Sequence, residues 1–178
     1  MKTFLLFLLA CTASFAQDFT LTQTGKLVSK KDTKVDYIIL HSPGITADTL
    51  YASAKKYIET KSSDSQIAIK SEDAGKVLIY ETSNAPMSAS GDVNYTASFT
   101  TSLEFKDGKA RITYGNINMY TTSTNAEKTN YPLTSIYNSK GKVTDQKAKN
   151  LIESYFSAYT KTLITALKSD GKIVSADW

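Results

Sequence analysis

The stretch YTASFTTSLEFKDGKARITYG, residues 95–115, decides how this chain folds. Tyr95, Ala97, Phe99, Thr101, Leu103 and Phe105 alternate with Asn94, Thr96, Ser98, Thr100, Ser102 and Glu104. A period of two sustained over that length predicts a strand with one dry face and one wet face. Asp107-Gly108 then supplies the dipeptide preferred in a tight type I′ turn, whose twist matches the strands it joins. The turn sets Lys106 opposite Lys109, Phe105 opposite Ala110, Glu104 opposite Arg111, Leu103 opposite Ile112, Ser102 opposite Thr113 and Thr101 opposite Tyr114. Apolar meets largely apolar and the only arginine meets a carboxylate, whereas a slip of one residue would exchange the faces. Past Tyr114 the apolar positions shift to Ile117 and Met119, and this change of parity at Gly115 predicts a β-bulge or bend.

Upstream, Lys34 to His41 is rich in β-branched and aromatic residues and stops at Ser42-Pro43-Gly44. Its apolar residues from Tyr37 to Leu40 fall on both faces, which predicts a central strand. A helix follows, with Thr46 as N-cap, Asp48 in the first turn, and Ile45 and Leu50 at the staple positions. Its apolar stripe is Leu50, Ala54, Tyr57 and Ile58. Residues 65–70 and 76–81 read as strands joined through Glu72-Asp73-Ala74-Gly75. Residues 17–33 are polar and mixed, without clear periodicity beyond Phe19 and Leu21.

Downstream, residues 121–142 are rich in Thr, Ser, Asn and Lys and read as a loop, interrupted by a short strand at Leu133 to Tyr137. A long amphipathic helix is predicted from Thr144 to Lys168, ended by Asp170-Gly171. Its stripe is Ala148, Leu151, Ile152, Tyr155, Phe156, Tyr159, Leu163, Ala166 and Leu167. The order strand, helix, four strands, loop, helix predicts an α+β domain with helices packed on a curved antiparallel sheet.

The N-terminus has one cation, Lys2, then an apolar run from Phe4 to Ala10 and small residues up to Ala16, the plan of a secretory signal peptide. Two processing sites compete. Leu8-Leu9-Ala10-Cys11 resembles a lipoprotein box with lipidation on Cys11, but cutting there leaves a signal shorter than the usual ~15–30 residues. Ser14 and Ala16 put small residues at both recognition positions for cleavage between Ala16 and Gln17, and this is the preferred reading. Removing 16 of 178 residues leaves 162, one ordinary domain, without Cys11, the chain's only cysteine. The formal charge falls from +4 to +3 with the loss of Lys2. All cations but Arg111 are lysines spread along the chain, a solvated surface rather than a nucleic-acid footprint. No other stretch is long enough to span a bilayer. The expected location is exported, periplasmic or secreted, with anchoring through Cys11 as the alternative.

The segments VDYIIL, DTLYASAKKYIE, SEDAGKVLIYE and YTASFTTSLEFKDGKARITYGNI together resemble the family called domain of unknown function 4468, found in exported proteins of Gram-negative bacteria. Asp107, Gly108, Lys109 and Arg111 match its Asp-Gly-Lys phrase, while Ala110, Ile112 and Tyr57 depart from its aromatic positions. The resemblance covers about half the chain, from Val35 to about Tyr120. It implies a TBP-like fold and brings no catalytic residue with it. The resulting division is a signal peptide over 1–16, an N-terminal segment over 17–33, an α+β domain over 34–121, a polar loop over 122–142, and a helix and tail over 143–178.

No catalytic constellation is recognisable, and no cofactor or metal set is implied. His41, the only histidine, reads as a strand-end residue, partly buried and hydrogen-bonded. No serine has a G-x-S-x-G context and no glycine run resembles a phosphate loop. Glu72-Asp73 reads as a solvated hairpin tip, and Glu104 with Arg111 as a cross-strand ion pair, with ligand binding by Arg111 as the less favoured role. Asn94-Tyr95-Thr96 matches a glycosylation sequon that is common by chance. A TBP-like fold invites a nucleic-acid partner, but fold does not imply function, and a mildly basic exported chain with one arginine argues against it. The leading functional reading is a non-catalytic envelope module that contacts a protein or an envelope polymer. The alternative is a carrier for a lipid or small apolar ligand between the sheet and the last helix, with Tyr155 and Tyr159 on the cavity wall.

Overall fold

The computed structural model describes residues 18–62, 67–90, 93–123 and 127–169. In chain order it has β1 (Phe19–Leu21), β2 (Leu27–Ser29), β3 (Tyr37–His41), α1 (Ala47–Ser62), β4 (Ile67–Asp73), β5 (Val77–Ser90), β6 (Val93–Lys106), β7 (Lys109–Ser123), β8 (Thr129–Tyr131), a 3-10 turn (Leu133–Ile136) and α2 (Gln146–Lys168). The hairpin β6–β7 has the register expected from Asp107-Gly108, from Lys106↔Lys109 to Thr101↔Tyr114, but only Gly108, at φ 74°, has a positive φ, so the turn is not the type I′ that the dipeptide predicts. Ala97, Phe99, Thr101, Leu103 and Phe105 are all buried, so the dry face of β6 is the one the alternation marks.

The main sheet is antiparallel, in the order β3-β7-β6-β5-β4, with β8 beside the far end of β7. β3 is therefore an edge strand, not the central one its two-sided apolar pattern predicts. Ile38 and Leu40 enter the core, while Tyr37 and Ile39 are half-buried on the opposite face. β5 runs well past Glu81, a length the sequence hides because its alternation lapses at Ser83-Asn84 and Pro86 interrupts it. β4 pairs with β5 only as far as Ile67↔Thr82. Beyond that point β5 has no partner on that side among the described residues, and a proline is tolerated on such an edge.

Two of the sheet's register shifts lie at one level. β5 shifts register between Thr82 and Ala85, where Asn84 has φ 53°, and β7 shifts opposite Ser98–Thr100, where Asn116 has φ 50°. The bend forecast at Gly115 is thus carried by its neighbour, since Asn tolerates the left-handed region. Both shifts flank Phe99, on the face that the helices cover.

α1 begins where Thr46 accepts a hydrogen bond from the Thr49 N–H at 3.2 Å. A second cap comes from the hairpin tip, as Asp107 Oδ1 accepts from the Ala47 N–H at 2.9 Å. α2 is capped by Asp145, which accepts from Ala148 N at 2.9 Å. The two helices pack against each other and cover one face of the sheet. Leu50, Ala54, Tyr57 and Ile58 of α1 and Ile152, Phe156, Leu163 and Leu167 of α2 are buried there. α2 ends at Lys168, and Asp170-Gly171 lies outside the described residues.

Residues 17–33 have more structure than their mixed composition suggests. β1 and β2 form a separate small hairpin whose Phe19, Leu21 and Leu27 are buried in the same core. The 3-10 turn replaces the short strand expected at Leu133 to Tyr137, burying Leu133 and Ile136, and the strand of this region is β8 instead.

Candidate functional site on the open sheet face

Among the described residues both helices lie on one side of the main sheet, and no element covers the other side. Side chains alternate along each strand, so the register defines the rows that cross this face. One row is Ile39, Arg111, Glu104, Val77 and Asp73. The next is Tyr37, Thr113, Ser102, Ile79 and Ser71. These residues are half-buried or exposed, and they mix hydroxyl and charged groups with aliphatic ones on β3 and β5.

At the β3 edge lies a groove of about 190 Å³ lined by Tyr37, Ile39, Glu104, Lys106, Lys109 and Arg111. Arg111 donates from Nε to Glu104 Oε1 at 2.9 Å and from Nη2 to the same oxygen. The hydrogen bond to Glu104 lifts the guanidinium further above its already high pKa. The guanidinium carbon lies 5.2 Å from the centre of the Tyr37 ring. Stacking plus pairing holds Arg111 in one orientation, although an ion pair this exposed contributes only ~0–1 kcal/mol.

Tyr155 and Tyr159 do not join Arg111, because they lie under α2 on the opposite side of the sheet. The Phe99 ring stands 4.9 Å from Phe156, 5.3 Å from Tyr159 and 6.0 Å from Tyr155 and Tyr114. Tyr159 donates to the Tyr80 hydroxyl at 3.2 Å, and the Tyr114 and Thr160 hydroxyls are 2.8 Å apart. Burial raises the pKa of Tyr80, Tyr114 and Tyr159, so these phenols stay neutral. The rings occupy the space in which a carrier would hold its ligand.

His41 is exposed at the end of β3 opposite Lys109, not partly buried as the sequence suggests, because the strand is an edge and ends at the groove's rim. Glu72 and Asp73 point to opposite faces. Glu72 accepts from the Tyr51 hydroxyl at 2.7 Å and from Lys55 Nζ at 3.0 Å, and these bonds lower its pKa, while Asp73 pairs with Lys76 at 3.4 Å. They tie α1 and the β4–β5 turn rather than forming a cation site. Asn94 is exposed on β6. Among the described residues no three His, Cys, Asp or Glu side chains gather as a metal set, and no helix is long and apolar enough to cross a membrane. Cys11, Ala16 and Gln17 lie outside the described residues.

Two features escape a reading of the sequence for sites. Glu153 is nearly buried between α2 and the first hairpin, accepting from Thr20 Oγ1 at 2.7 Å, Leu21 N at 2.9 Å and Lys149 Nζ. Its signal was a carboxylate set in line with Ile152 and Phe156 on the apolar stripe. The other is the pair Lys106 and Lys109, whose opposition the turn register already gives but which no motif marks as a site.

A model of the family described as a domain of unknown function (DUF4468) with TBP-like fold matches residues 37–121. Those residues are a DUF4468 domain. Two solved structures share its architecture. A DUF4468 family protein from Bacteroides ovatus is 14% identical, covering 79% of this chain and 88% of its own with a TM-score of 0.56. A TBP-like protein from Parabacteroides distasonis is 8% identical, covering 76% and 90% with a TM-score of 0.59. At these identities the likeness is one of fold. No curated protein matches the chain. The DUF4468 match takes in both walls of the groove, since Tyr37, Ile39, Glu104 and Arg111 all fall within it.

Proposed function

We propose that this chain is an exported, non-catalytic envelope module whose open sheet face docks onto a protein or an envelope polymer. The observation that carries the reading is the one-sided burial of the sheet among the described residues: α1, α2 and the first hairpin pack on a single face, and the other presents hydroxyl and charged groups with the Tyr37–Arg111 groove at its edge. The filled aromatic core beneath α2 supports docking over carriage of an apolar ligand, because a ligand there would have to displace Phe99, Tyr159 or Phe156. The signal-peptide plan of residues 1–16 supports the location.

Retention of the purified protein on sedimented cell envelopes tests this. Ser102→Trp places a bulky side chain in the middle of the open face and is expected to abolish retention, whereas Ala158→Trp, on the exposed side of α2, is expected to leave it unchanged. Retention lost by the α2 variant alone would place the docking surface elsewhere.

A further inference from the structure

Lys106 and Lys109 close the β6–β7 turn directly opposite each other on the open face, and His41 continues the row on β3. Like charges in directly opposed positions destabilise a hairpin. Neither lysine forms a salt bridge among the described residues. Glu104, the carboxylate lining the same groove, is already engaged by Arg111. The Arg111–Glu104 pair is neutral overall, so the two lysines supply two positive charges at the groove's end, against the single carboxylate of Asp107 in the turn between them, which is turned to the Ala47 N–H.

We propose that this end of the groove binds the phosphate monoester of a phosphorylated saccharide, an inference that rests on the open face being the docking surface. A phosphate monoester carries about −1.5 to −2 at neutral pH and accepts several charge-assisted hydrogen bonds, which matches two lysines better than a singly charged carboxylate or sulfate ester does. Ser102 and Thr113 lie about 13 Å further along the strands, at roughly 3.3 Å per residue, where their half-exposed hydroxyls meet the hydroxyls of an attached short glycan. A single-stranded nucleic acid held by base stacking would need a free ring. The groove's one ring, Tyr37, is covered by Arg111.

An amide NMR titration of the protein with glucose 6-phosphate tests the site, with glucose, glucose 6-sulfate and a single-stranded DNA hexamer as parallel arms. Glucose 6-phosphate is expected to shift the amides of residues 37–41 and 106–111 saturably, and glucose to shift none of them. Lys106→Ala and Lys109→Ala should each weaken binding about tenfold, the effect of losing one charge-assisted contact. Lys161→Ala, on the outer side of α2, should not weaken it, and spectra unchanged elsewhere certify that the variants fold. No saturable shift, equal affinity for glucose 6-sulfate, or tighter binding of the DNA at the same amides would overturn the proposal. If glucose 6-phosphate fails while Ser102→Trp still abolishes envelope retention, the phosphate site falls and the docking face stands. If both fail, both fall.

Discussion

Replacing Glu153 with alanine removes the acceptor that joins the first hairpin to α2. The side chain is buried, with 9% of the residue exposed, and three donors converge on it from Thr20, Leu21 and Lys149. Its loss leaves the buried Leu21 N–H without an acceptor, at a cost of about 1–3 kcal/mol, and strands Lys149 at 16% side-chain exposure. Residual solvent around the pair keeps the total below the 3–5 kcal/mol of a fully buried broken pair, so a loss of about 2–4 kcal/mol is expected. Glu153→Gln keeps an acceptor oxygen for Leu21 and Thr20 and should cost about half as much. Urea unfolding reads the loss as a lower midpoint at unchanged slope, and hydrogen exchange should accelerate first at Leu21 and Leu27. An alanine variant within about 0.5 kcal/mol of the parent, the range of ordinary surface changes, would refute the assigned tie.

The same carboxylate gives a pH dependence of known sign. Burial raises its pKa, but the hydrogen bonds from Lys149, Thr20 and Leu21 outweigh burial and leave it lowered. The folded state therefore binds this proton less readily than the unfolded chain. The stabilisation is fully present above the ordinary glutamate range, near about 4.3, and fades as pH falls through the lowered folded value. Glu153→Gln should remove that component of the acid transition.

Other outcomes follow from the turns. Gly75 has φ +74°, and a Cβ there would stand 2.2 Å from Asp48 Oδ1. Gly75→Ala should destabilise by about 1–3 kcal/mol, and adding Asp48→Ala should recover the clash but not the backbone strain, so thermal unfolding of the double variant should fall between the two. Asp107→Ala should cost about 1 kcal/mol through the lost cap on α1, read as a lower melting temperature with increased exchange at Ala47.

Much of the fold was legible in the sequence because its strongest signals are local. A turn dipeptide and a sustained alternation fixed the register of β6–β7, and a 3.6-residue stripe marked both helices, the first with its Thr46 cap, while the Asp145 cap of the second went unread. Signals failed where tertiary context decides. The two-sided apolar pattern of Tyr37 to Leu40 is the same for a central strand and for an edge strand with a groove on its outer face. The first hairpin has too few residues to show a period, and its order comes from contacts with α2. The candidate site divides in the same way. Arg111 with Glu104 was readable from register, whereas Tyr155 and Tyr159 were legible as helix stripe but not as core rings, because a side chain's neighbours across the sheet are not written in its own segment.

The docking face itself is tested most directly by position-resolved photocrosslinking in the cell that makes the protein. A photoreactive phenylalanine analogue at Ser102, Thr113 or Ile39 should give a discrete, saturable adduct with an envelope protein or polymer, while the same analogue at Ala158 or Lys161 on α2 should give none. Adducts confined to the α2 positions, or none from any open-face position, would contradict it.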